Sequence, residues 1–529
     1  MTTRRPVLIV SYYFPPTGGA GTQRFAGFAR WLPDFGYQPI IVTSDASQRP
    51  PCAPTNDTTL IADLPSDVIV TRVGSEAPLR SSPVRGIRRI TGLDADHERW
   101  CARALPAALR VARDHPAAAI VTTASPYGVW TIGRDVRARL GIPWILDLRD
   151  PWALDGWWSF PTPLHAHVEL RRMRRALREA DAVIANTPQA RRAYIELIGA
   201  DDGRVCTIPN GFEPGDFKPH AGGESERDGA RVFRLVHVGT LHDPLRGRRR
   251  PRRAACRRSW CVIDQRGRSG RYLFEALAEL RRDDPAAFAR LQIDLVGNID
   301  QHHRYLARSL RIDDRVMEHG YLPHRDAIRR LMNADAVFVP LHGVPNGDPA
   351  LVVPGKLYEA IASERSVLGC LPEGDAARLL RLTDAGIVVR PDDVPGIGRA
   401  LGGLVRQWMA GRPRPGAPRA RLVPFTRRRL TQRLAAAIDA VLDQASRLSQ
   451  DDPWDELARR GRSVDGETRS AAGNRAPTLA RAGGTQSRRA ATGSARHGIN
   501  RRRENDPETQ RTGSFVNADD VSKGGERCL

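Results

Sequence analysis

The 529-residue chain lacks the features that would place it in a membrane or outside the cell. No apolar run approaches the ~18–20 residues that span a bilayer. The apolar run at the start breaks at Pro15 and Pro16 without a small-residue cleavage site, which argues against a signal peptide. Seven cysteines, odd in number and scattered, argue against a disulfide framework. We therefore expect a cytoplasmic protein.

The sequence also lacks an even distribution of charge. It contains 82 Lys and Arg against 60 Asp and Glu, a formal net charge of +22. The stretch 243–271 alone contains 11 Arg against 2 Asp. A nucleic-acid-binding segment would show interleaved stacking residues or a recognised motif, and this stretch has neither. Nucleic acid is therefore not the partner that we expect.

What the sequence does contain is a regular alternation of strand-like and helix-like segments. The strand-like runs of the first part include PVLIVSYYF, YQPIIVTSD, AAAIVTTASP, PWILDLRD and DAVIANTP. The pattern then restarts with FRLVHVGTL, LQIDLVGN, ADAVFVPL, RSVLGCLP and GIVVRP. Continuous Val/Ile-rich runs between helices are typical of parallel sheets covered on both faces. We predict an α/β protein with two Rossmann-like, doubly wound domains that face a cleft.

Composition sets the boundaries of these domains. We assign residues 1–220 to the first domain and residues 231–412 to the second, with a Gly/Glu/Ser-rich linker between them. A helix is predicted at 425–446. Residues 451–529 are rich in Gly, Ser, Thr, Arg and Asn without aliphatic periodicity, so we predict a disordered tail there.

The first candidate site is FPPTGGAGTQR, from Phe14 to Arg24. A strand ends just before it, and Gly18, Gly19 and Gly21 precede a helix. Glycines at such a turn let backbone N–H groups approach an anion at the positive end of the helix. The segment matches neither the dinucleotide fingerprint nor a P-loop, so a purely structural turn remains the alternative.

Two further motifs contain paired charges. In DLRDPW, Asp147 to Trp152, the acidic residues follow a strand. Asp150 could orient or deprotonate a hydroxyl, or Asp147, Arg149 and Asp150 could form an internal ion-pair network.

In the second motif, VPGKLYEAIA, Lys356 and Glu359 share one face of the first helical turn. The lysine could reach a diphosphate and the glutamate could bind ribose hydroxyls. A surface ion pair is the alternative.

In order and spacing, FPPTGGAGTQR, DLRDPW, ANTP, IPNGF, HVGTL and VPGKLYEAIA resemble the retaining glycosyltransferases of family 4. The resemblance implies a GT-B fold, a nucleotide-sugar donor and a metal-independent reaction without a cofactor. The implied catalytic residues are Asp150, Arg268 and Lys356. The implied donor-binding residues are Gly18, Gly19, Arg268, Lys356 and Glu359. Many relatives have a second Glu eight residues before the ribose carboxylate, and Leu351 stands there instead.

An Arg-rich segment interrupts the motif HVGTL. Removing Asp243–Gln265 would restore GTLH-RGRSGRYLFEALAEL, close to the short Gly-Arg loop that the resemblance implies. The segment has no period of 2 or 3.6, and it comes either from a shifted reading frame or from a true basic loop. Arg268 is the candidate diphosphate arginine, with Arg271 second. Two cysteines in the segment, without a second pair, are weak support for a metal site.

The acceptor is the least defined partner. Trp152, Trp157, Trp158 and Phe160 precede a predicted helix with five Arg between 171 and 178. Such a pair of features can dock on an anionic membrane, which indicates a glycan or polyprenyl-linked acceptor at the inner face of the plasma membrane. A packing loop beside a solvated helix is the alternative. A GT-B protein impaired by the insert, a nucleotide-sugar epimerase and a basic nucleic-acid-binding protein remain rival hypotheses.

Overall fold

The computed structural model describes most of the chain up to Arg460. The described ranges are 4–45, 57–74, 95–154, 162–199, 203–218, 232–245, 263–344, 347–443 and 451–460, with the single residues 156, 160 and 448. The predicted linker, the centre of the Arg-rich segment and the tail beyond residue 460 lie outside the described residues.

Seven parallel strands form the N-terminal sheet. They are β1 (Arg5–Ser11), β2 (Tyr37–Ser44), β3 (Ile69–Val73), β4 (Ala119–Ala124), β5 (Trp144–Leu148), β6 (Ala182–Ala185) and β7 (Val205–Thr207). Their order across the sheet is β3-β2-β1-β4-β5-β6-β7. In the centre, Ile9 pairs with Ile41 on one side and Val121 on the other, and all three are fully buried. The apolar runs are thus covered on both faces, as their composition predicts.

The helices described around this sheet are α1 (Ala20–Trp31), α2 (Ala95–Asp114), α3 (Trp130–Leu140), α4 (Pro163–Glu179) and α5 (Pro188–Ile198). Local sequence sets their starts. The hydroxyl of Thr187, for example, accepts a hydrogen bond from the amide of Ala190 at 3.0 Å and so caps α5, while Pro188 has no amide hydrogen that would need a partner.

Six parallel strands form the C-terminal sheet. They are β8 (Phe233–Val238), β9 (Leu291–Val296), β10 (Val316–Gly320), β11 (Ala336–Pro340), β12 (Ser366–Cys370) and β13 (Gly386–Val389), in the order β10-β9-β8-β11-β12-β13. The order in which successive strands are added reverses once in each sheet, between β1 and β4 in the first sheet and between β8 and β11 in the second. Open parallel sheets bind ligands outside the carboxyl ends of the strands at such points. The predicted α/β class with two Rossmann-like domains is confirmed.

The helices described around the second sheet are α6 (Arg271–Asp283), α7 (Pro285–Ala289), α8 (His302–Ser309), α9 (His324–Met332), α10 (Gly355–Ala362), α11 (Asp375–Thr383) and α12 (Val394–Met409). Helices α6 and α12 pack beside each other and cover one face of the sheet with Leu273, Leu277 and Leu401, all buried. Within the described ranges, no helix is both long and apolar enough to cross a membrane.

The last long helix, α13 (Arg427–Leu442), returns to the first domain. The chain passes between the domains twice, and backbone hydrogen bonds join the two passages. The amide of Phe212 donates to the carbonyl of Phe425 at 3.2 Å, and the amide of Arg427 donates to the carbonyl of Phe212 at 3.0 Å. Leu434 and Ile438 then complete the buried cluster around α1. The first domain therefore depends on residues from the far end of the fold.

The expected disorder from residue 451 differs from the structure in its first ten residues. Residues 453–460 form a further helix, α14, and Trp454 is fully buried against the ring of Phe425, with ring centroids 5.1 Å apart. Trp454 and Leu457 are both buried in the core of the second domain and so fix this short segment, although the composition of the whole tail is polar.

Candidate active site

The Gly-rich turn that was expected to bind an anion connects β1 to α1. Gly19 has a φ of +105°, a backbone region that favours glycine, and the space where its side chain would lie is open. A Cβ atom on Gly21 would overlap the guanidinium group of Arg149, so the glycine lets Arg149 lie against the start of α1. Gly18 is buried beside them. The helix terminus contributes partial positive charge at this edge of the sheet, beside the Arg149 guanidinium group.

Asp147 is buried and neutralised by a residue of α1. Its carboxylate accepts hydrogen bonds from Nη2 of Arg24 at 2.6 Å and from Oγ1 of Thr123 at 2.8 Å. The alternative of one network among Asp147, Arg149 and Asp150 is thus wrong for Asp147, because its cation comes from another element. Its role is to join α1 to the sheet.

Asp150 lies at the carboxyl edge of the first sheet. Its side chain is 41% exposed, and one carboxylate oxygen is 3.2 Å from Nε of Arg149. The backbone next to it is fixed, because the carbonyl of Arg149 accepts a hydrogen bond from Asn186 at 2.8 Å. An exposed, oriented carboxylate at this edge can accept a hydrogen bond from a hydroxyl group that enters the cleft.

Lys356 lies at the start of α10, beside the carboxyl end of β8. Its Nζ is 3.4 Å from Nε2 of His237, whose Nδ1 is 3.0 Å from the carbonyl of Phe338. Burial, and then the charge of Lys356, lower the pKa of His237 well below its usual value. The ring is therefore neutral; Nδ1 donates to the carbonyl and Nε2 is left to accept from the lysine. His237 fixes the direction of Lys356.

The structure brings Arg268 into the neighbourhood of Lys356, as the resemblance implies. Burial, and then the nearby charge of Arg268, lower the pKa of Lys356 from 10.5 to about 7. Arg271, the second candidate, is committed elsewhere: Nε donates to Glu275 at 2.8 Å and Nη1 to the carbonyl of Pro244 at 3.2 Å. Arg268 and Lys356 are both partly exposed, so two cationic groups at this place can hold a multiply charged anion.

The turn that contains Arg268 includes the end of the Arg-rich segment. Ile263 is buried, and the amide of Asp264 donates to the carbonyl of Gly343 at 3.0 Å. The hydroxyl of Tyr272 donates to the Asp264 carboxylate. The residues that pack with the second domain therefore begin at Ile263, not after Gln265 as the proposed excision assumes. Residues 246–262 lie outside the described residues.

Glu359 lies one turn after Lys356 and is 8% exposed. Nη2 of Arg427, at the second passage between the domains, is 3.9 Å from its Oε1. The same guanidinium group donates to Oε1 of Gln23 in α1 at 3.0 Å. The surface ion pair of Lys356 with Glu359 is not found among the described contacts; Glu359 instead faces the junction of the two domains.

His324 joins the domains at the same junction. Its Nε2 is 2.9 Å from Asp216, and its Nδ1 is 3.1 Å from the side-chain amide of Gln23. Burial alone would lower the pKa of His324, but the hydrogen bond to Asp216 and the charge of Glu359 outweigh burial and raise it. A titratable group therefore contributes to the contact between the two domains.

The segment around Leu351, where the additional Glu of many relatives is absent, is tied to the first domain. The hydroxyl of Thr187 donates to the carbonyl of Leu351 at 2.9 Å. The amide of Gln189 donates to Asp375 at 2.7 Å. Both bonds come from the start of α5, so the position of this segment depends on the arrangement of the two domains.

A small acidic cluster lies near the start of the Arg-rich segment. Asp243, Asp300 and His302 have ligand atoms within 4.8 Å of one another. The ring Nδ1 of His302 is 2.9 Å from Asp300 and 3.3 Å from Asp243, so the imidazole contacts both carboxylates. The expectation of a metal-independent reaction remains a prediction.

The aromatic loop and basic helix differ in part from the expectation. Trp152 is buried, stacked on Tyr127 and hydrogen-bonded to Glu169 at 3.0 Å, so this side chain packs the domain. Trp157 and Trp158 lie outside the described residues. On α4, however, Leu164 is 68% and Val168 39% exposed. They lie one turn apart and continue into the exposed Arg171 and Arg175 of the same helix.

Sequence reasoning assigned no role to Arg24, His237, His324 or Arg427 in this region. A signal existed only for His237, which is a polar residue inside an apolar strand and two positions before a glycine. The others contact residues far away in the sequence, and no local pattern marks them.

Taken together, two Rossmann-like domains meet at a cleft whose edges bear oriented cations and carboxylates. This is the GT-B architecture. Residues 18–211 match the family model described as "Glycosyl transferase 4-like domain". The sequence is similar to the D-inositol 3-phosphate glycosyltransferase of Kineococcus radiotolerans, with 28% identity over 223 residues. That alignment covers 41% of this chain and only about half, 47%, of the relative.

Solved structures agree with the fold over a larger part of the chain. The sucrose-phosphate synthase of Thermosynechococcus elongatus has a TM-score of 0.53 at 16% identity, covering 88% of this chain and all of that one. HepE of Anabaena, solved with UDP and glucose, has a TM-score of 0.51 at 15% identity with the same coverage. WaaG, a glycosyltransferase involved in lipopolysaccharide biosynthesis, has a TM-score of 0.51 at 14% identity, covering 87% of this chain and all of that one.

Proposed function

We propose that this protein is a retaining glycosyltransferase of family 4 that transfers sugar from a nucleotide diphosphate donor to a glycan or lipid-linked acceptor. One observation carries the proposal: Lys356 lies at the carboxyl edge of the second sheet, 3.4 Å from the ring of His237, with Arg268 close enough for its charge to lower the pKa of the lysine. A diphosphate that leaves the sugar develops negative charge there, and oriented cations stabilise such a transition state.

The donor would lie with its nucleotide on the second domain. Glu359 would accept hydrogen bonds from the ribose hydroxyls. Its distance of 3.9 Å from Arg427 is longer than a hydrogen bond, so the carboxylate retains acceptor capacity. Lys356 and Arg268 would contact the diphosphate. His237 would orient the Lys356 amine by accepting a hydrogen bond from it. Because the imidazole ring is neutral, it would leave the positive charge of the lysine available to the diphosphate.

The Gly-rich turn would complete the diphosphate site from the first domain. Gly18 and Gly19 would let backbone amides approach the phosphate oxygens, and the open space at Gly19 supports this role. Arg149 would add positive charge beside the turn. These protein cations neutralise the leaving group, so we propose that the reaction needs neither a metal ion nor a cofactor.

The acceptor would enter over the first domain beside Asp150, which would orient or deprotonate its hydroxyl group. The exposed Leu164 and Val168 on the basic helix α4 support a peripheral contact with an anionic membrane at the cytoplasmic face. We therefore favour polysaccharide or glycolipid assembly, which would supply polyprenyl-linked acceptors at that surface.

The alternative of an impaired enzyme, with a donor loop broken by the insert, has one observation against it. The charge of Arg268 acts on Lys356 even though the Arg-rich segment precedes it, so the arginine is near its proposed partner.

The full-length protein should be incubated with UDP- and GDP-sugars and with membrane extract, and nucleoside diphosphate release should be followed by mass spectrometry. Nucleoside diphosphate release that persists in EDTA and is lost in Lys356→Ala would support the proposal. NMR of the product would give its anomeric configuration. Absence of release with every donor would support the impaired protein. Isomerised nucleotide-sugar without nucleoside diphosphate would indicate an epimerase.

A further inference from the structure

The turn that contains Arg268 is held by a side chain to which the proposed reaction gives no role. His303 lies in the first turn of α8 and is fully buried. Its Nε2 is 3.0 Å from the amide nitrogen of Gly270, the residue that precedes α6. The imidazole therefore holds the turn two residues after the arginine that is proposed to contact the diphosphate.

The neighbours of His303 determine which of its ring nitrogens carries hydrogen. Its Nδ1 is 2.9 Å from the carbonyl oxygen of Asp300, which can only accept, so Nδ1 is the donor. The amide of Gly270 can only donate, so Nε2 is the acceptor. Burial lowers the pKa of His303 and so favours this neutral ring. One imidazole thus joins a carbonyl of one loop to an amide of another.

Backbone hydrogen bonds extend this link into a closed circuit around Arg268. The amide of Asp300 donates to the carbonyl of Leu241 at 3.2 Å. The amide of the next residue, His242, donates to the carbonyl of Arg268 at 3.2 Å. From Arg268 the chain leads back to the amide that His303 holds. The backbone of Arg268 is therefore fixed through its own carbonyl and through the amide two residues later.

Close packing leaves this turn little room for another position. A Cβ atom on Gly270 would lie 3.1 Å from Cδ2 and 3.3 Å from Nε2 of His303, so the glycine is what lets the ring approach the backbone. Elsewhere in the turn, a Cβ atom on Gly267 would lie 2.8 Å from the carbonyl oxygen of Leu341. The turn thus packs against both α8 and the segment that follows β11.

We propose that His303 is a positioning residue for glycosyl transfer, which acts through Arg268 without contact with the donor. The inference rests on the proposed function, in which Arg268 contacts the diphosphate. A guanidinium group stabilises a transition state best when it is already aimed at the developing charge, so a contact that fixes its backbone contributes to donor binding and to the rate. Without the bond from the Gly270 amide, part of the interaction energy of the diphosphate would be used to order the turn.

Two substitutions of His303 separate the two hydrogen bonds of its ring. In His303→Gln the side-chain oxygen can reach the place of Nε2 and accept from the Gly270 amide. In His303→Asn the shorter side chain retains a donor for the Asp300 carbonyl and leaves the Gly270 amide without an acceptor. Titration calorimetry of the full-length protein with UDP and with GDP should show about three- to tenfold weaker binding in His303→Asn. His303→Gln should bind within about twofold of the wild type.

A double-variant cycle tests whether the effect passes through Arg268. Arg268→Ala should weaken nucleoside diphosphate binding, and adding His303→Asn should weaken it no further. Gly270→Ala displaces the ring and leaves it intact, so it serves if His303→Asn does not fold, and about three- to tenfold weaker binding is expected there too. Asp284→Ala is the matched control, because it removes the cap of α7 at the other end of α6. It should lower the melting temperature and leave the affinity unchanged.

The outcomes distinguish this inference from the proposed function. If the wild type binds neither UDP nor GDP, the proposed function fails and the inference fails with it. If the wild type binds but Arg268→Ala binds equally well, the route through Arg268 is wrong. If Arg268→Ala weakens binding, the proposed function stands by itself. The inference is then overturned by unchanged affinity in His303→Asn and Gly270→Ala, by equal losses in His303→Asn and His303→Gln, or by a loss that persists in the Arg268→Ala background.

Discussion

Nζ of Lys356 lies 3.4 Å from Nε2 of His237, and the imidazole can only accept from it, because its other nitrogen donates to the carbonyl of Phe338. Lys356 thus has a neutral hydrogen-bond acceptor beside it, while Arg268 disfavours its protonated form. A bound anion would favour the protonated form, so the amine would take up a proton when the anion binds. We therefore expect the proposed donor site to be sensitive to pH in a defined direction.

We expect nucleoside diphosphate binding to take up about one proton at pH 8. In the free protein the pKa of Lys356 is about 7, lowered by burial and by Arg268, so the amine is mostly neutral at that pH. The bound diphosphate restores the positive charge. Calorimetry in buffers of different ionisation enthalpy measures the uptake. Lys356→Arg, charged at every working pH, should bind without it; equal uptake in that variant would contradict the assignment.

His324 should make the protein more stable in mild acid. Its pKa is raised in the folded state by Asp216 and Glu359, so its stabilisation is complete below pH 6.5 and is lost as the pH rises through the higher folded value. Denaturant unfolding of wild type and His324→Gln should differ by about 1–2 kcal/mol more at pH 5.5 than at pH 8.5. Both proteins contain Lys356, so its contribution to the pH dependence of stability cancels when they are compared at the same pH. A difference that does not change with pH would show that His324 does not titrate in this way.

Glu359→Ala should weaken donor binding by about 1.5–3 kcal/mol, the range for a lost hydrogen bond to a charged group. Glu359→Gln should fall between the wild type and Ala. Calorimetry with the nucleoside diphosphate measures the change, and Glu364→Ala, at an exposed carboxylate just after α10, is the matched control. Unchanged affinity in Glu359→Ala would remove the ribose role.

Asp150→Asn should leave donor binding intact and lower the transfer rate by about 10²–10⁴, if the carboxylate acts as a base. The neighbouring Asp147→Asn should instead destabilise the fold, since it would leave Arg24 buried beside a neutral partner. Transfer assays, donor calorimetry and thermal melts distinguish the two. If Asp150→Asn melts early and loses donor binding, its role is structural.

Replacing residues 246–262 by a short Gly/Ser linker should preserve the fold and raise donor turnover. Loop length itself costs little, about 0.6 kcal/mol for each doubling, and Arg268 would return to a short turn. Heparin binding should fall, because the replaced residues include eight arginines and no acidic residue. Deleting Asp243–Gln265 should destabilise the fold more than the shorter replacement, since it also removes the buried Ile263 and the hydrogen bonds of Asp264. A folded variant of the shorter deletion that loses donor binding would show that the segment is part of the site.

The strands were predictable because Val7, Leu8, Ile9 and Val10 form a continuous apolar run, which only a sheet covered on both faces can bury. The approach of Arg268 to Lys356 followed from the resemblance rather than from any period. The pairs Arg24–Asp147 and Arg427–Glu359 join residues 123 and 68 positions apart, and only the folded chain brings them together. Trp454 was overlooked because one aromatic side chain hardly changes the composition of a long polar segment.

The return of α13 to the first domain sets an order of events during synthesis. Phe25 and Phe28 of α1 share a buried cluster with Leu434 and Ile438, which leave the ribosome only after the whole second sheet. The nascent first domain must therefore expose the outer apolar face of α1 while about two hundred further residues are translated, roughly 10–40 s at rates of 5–20 residues per second. Any protein that binds apolar nascent segments has that interval in which to act on α1.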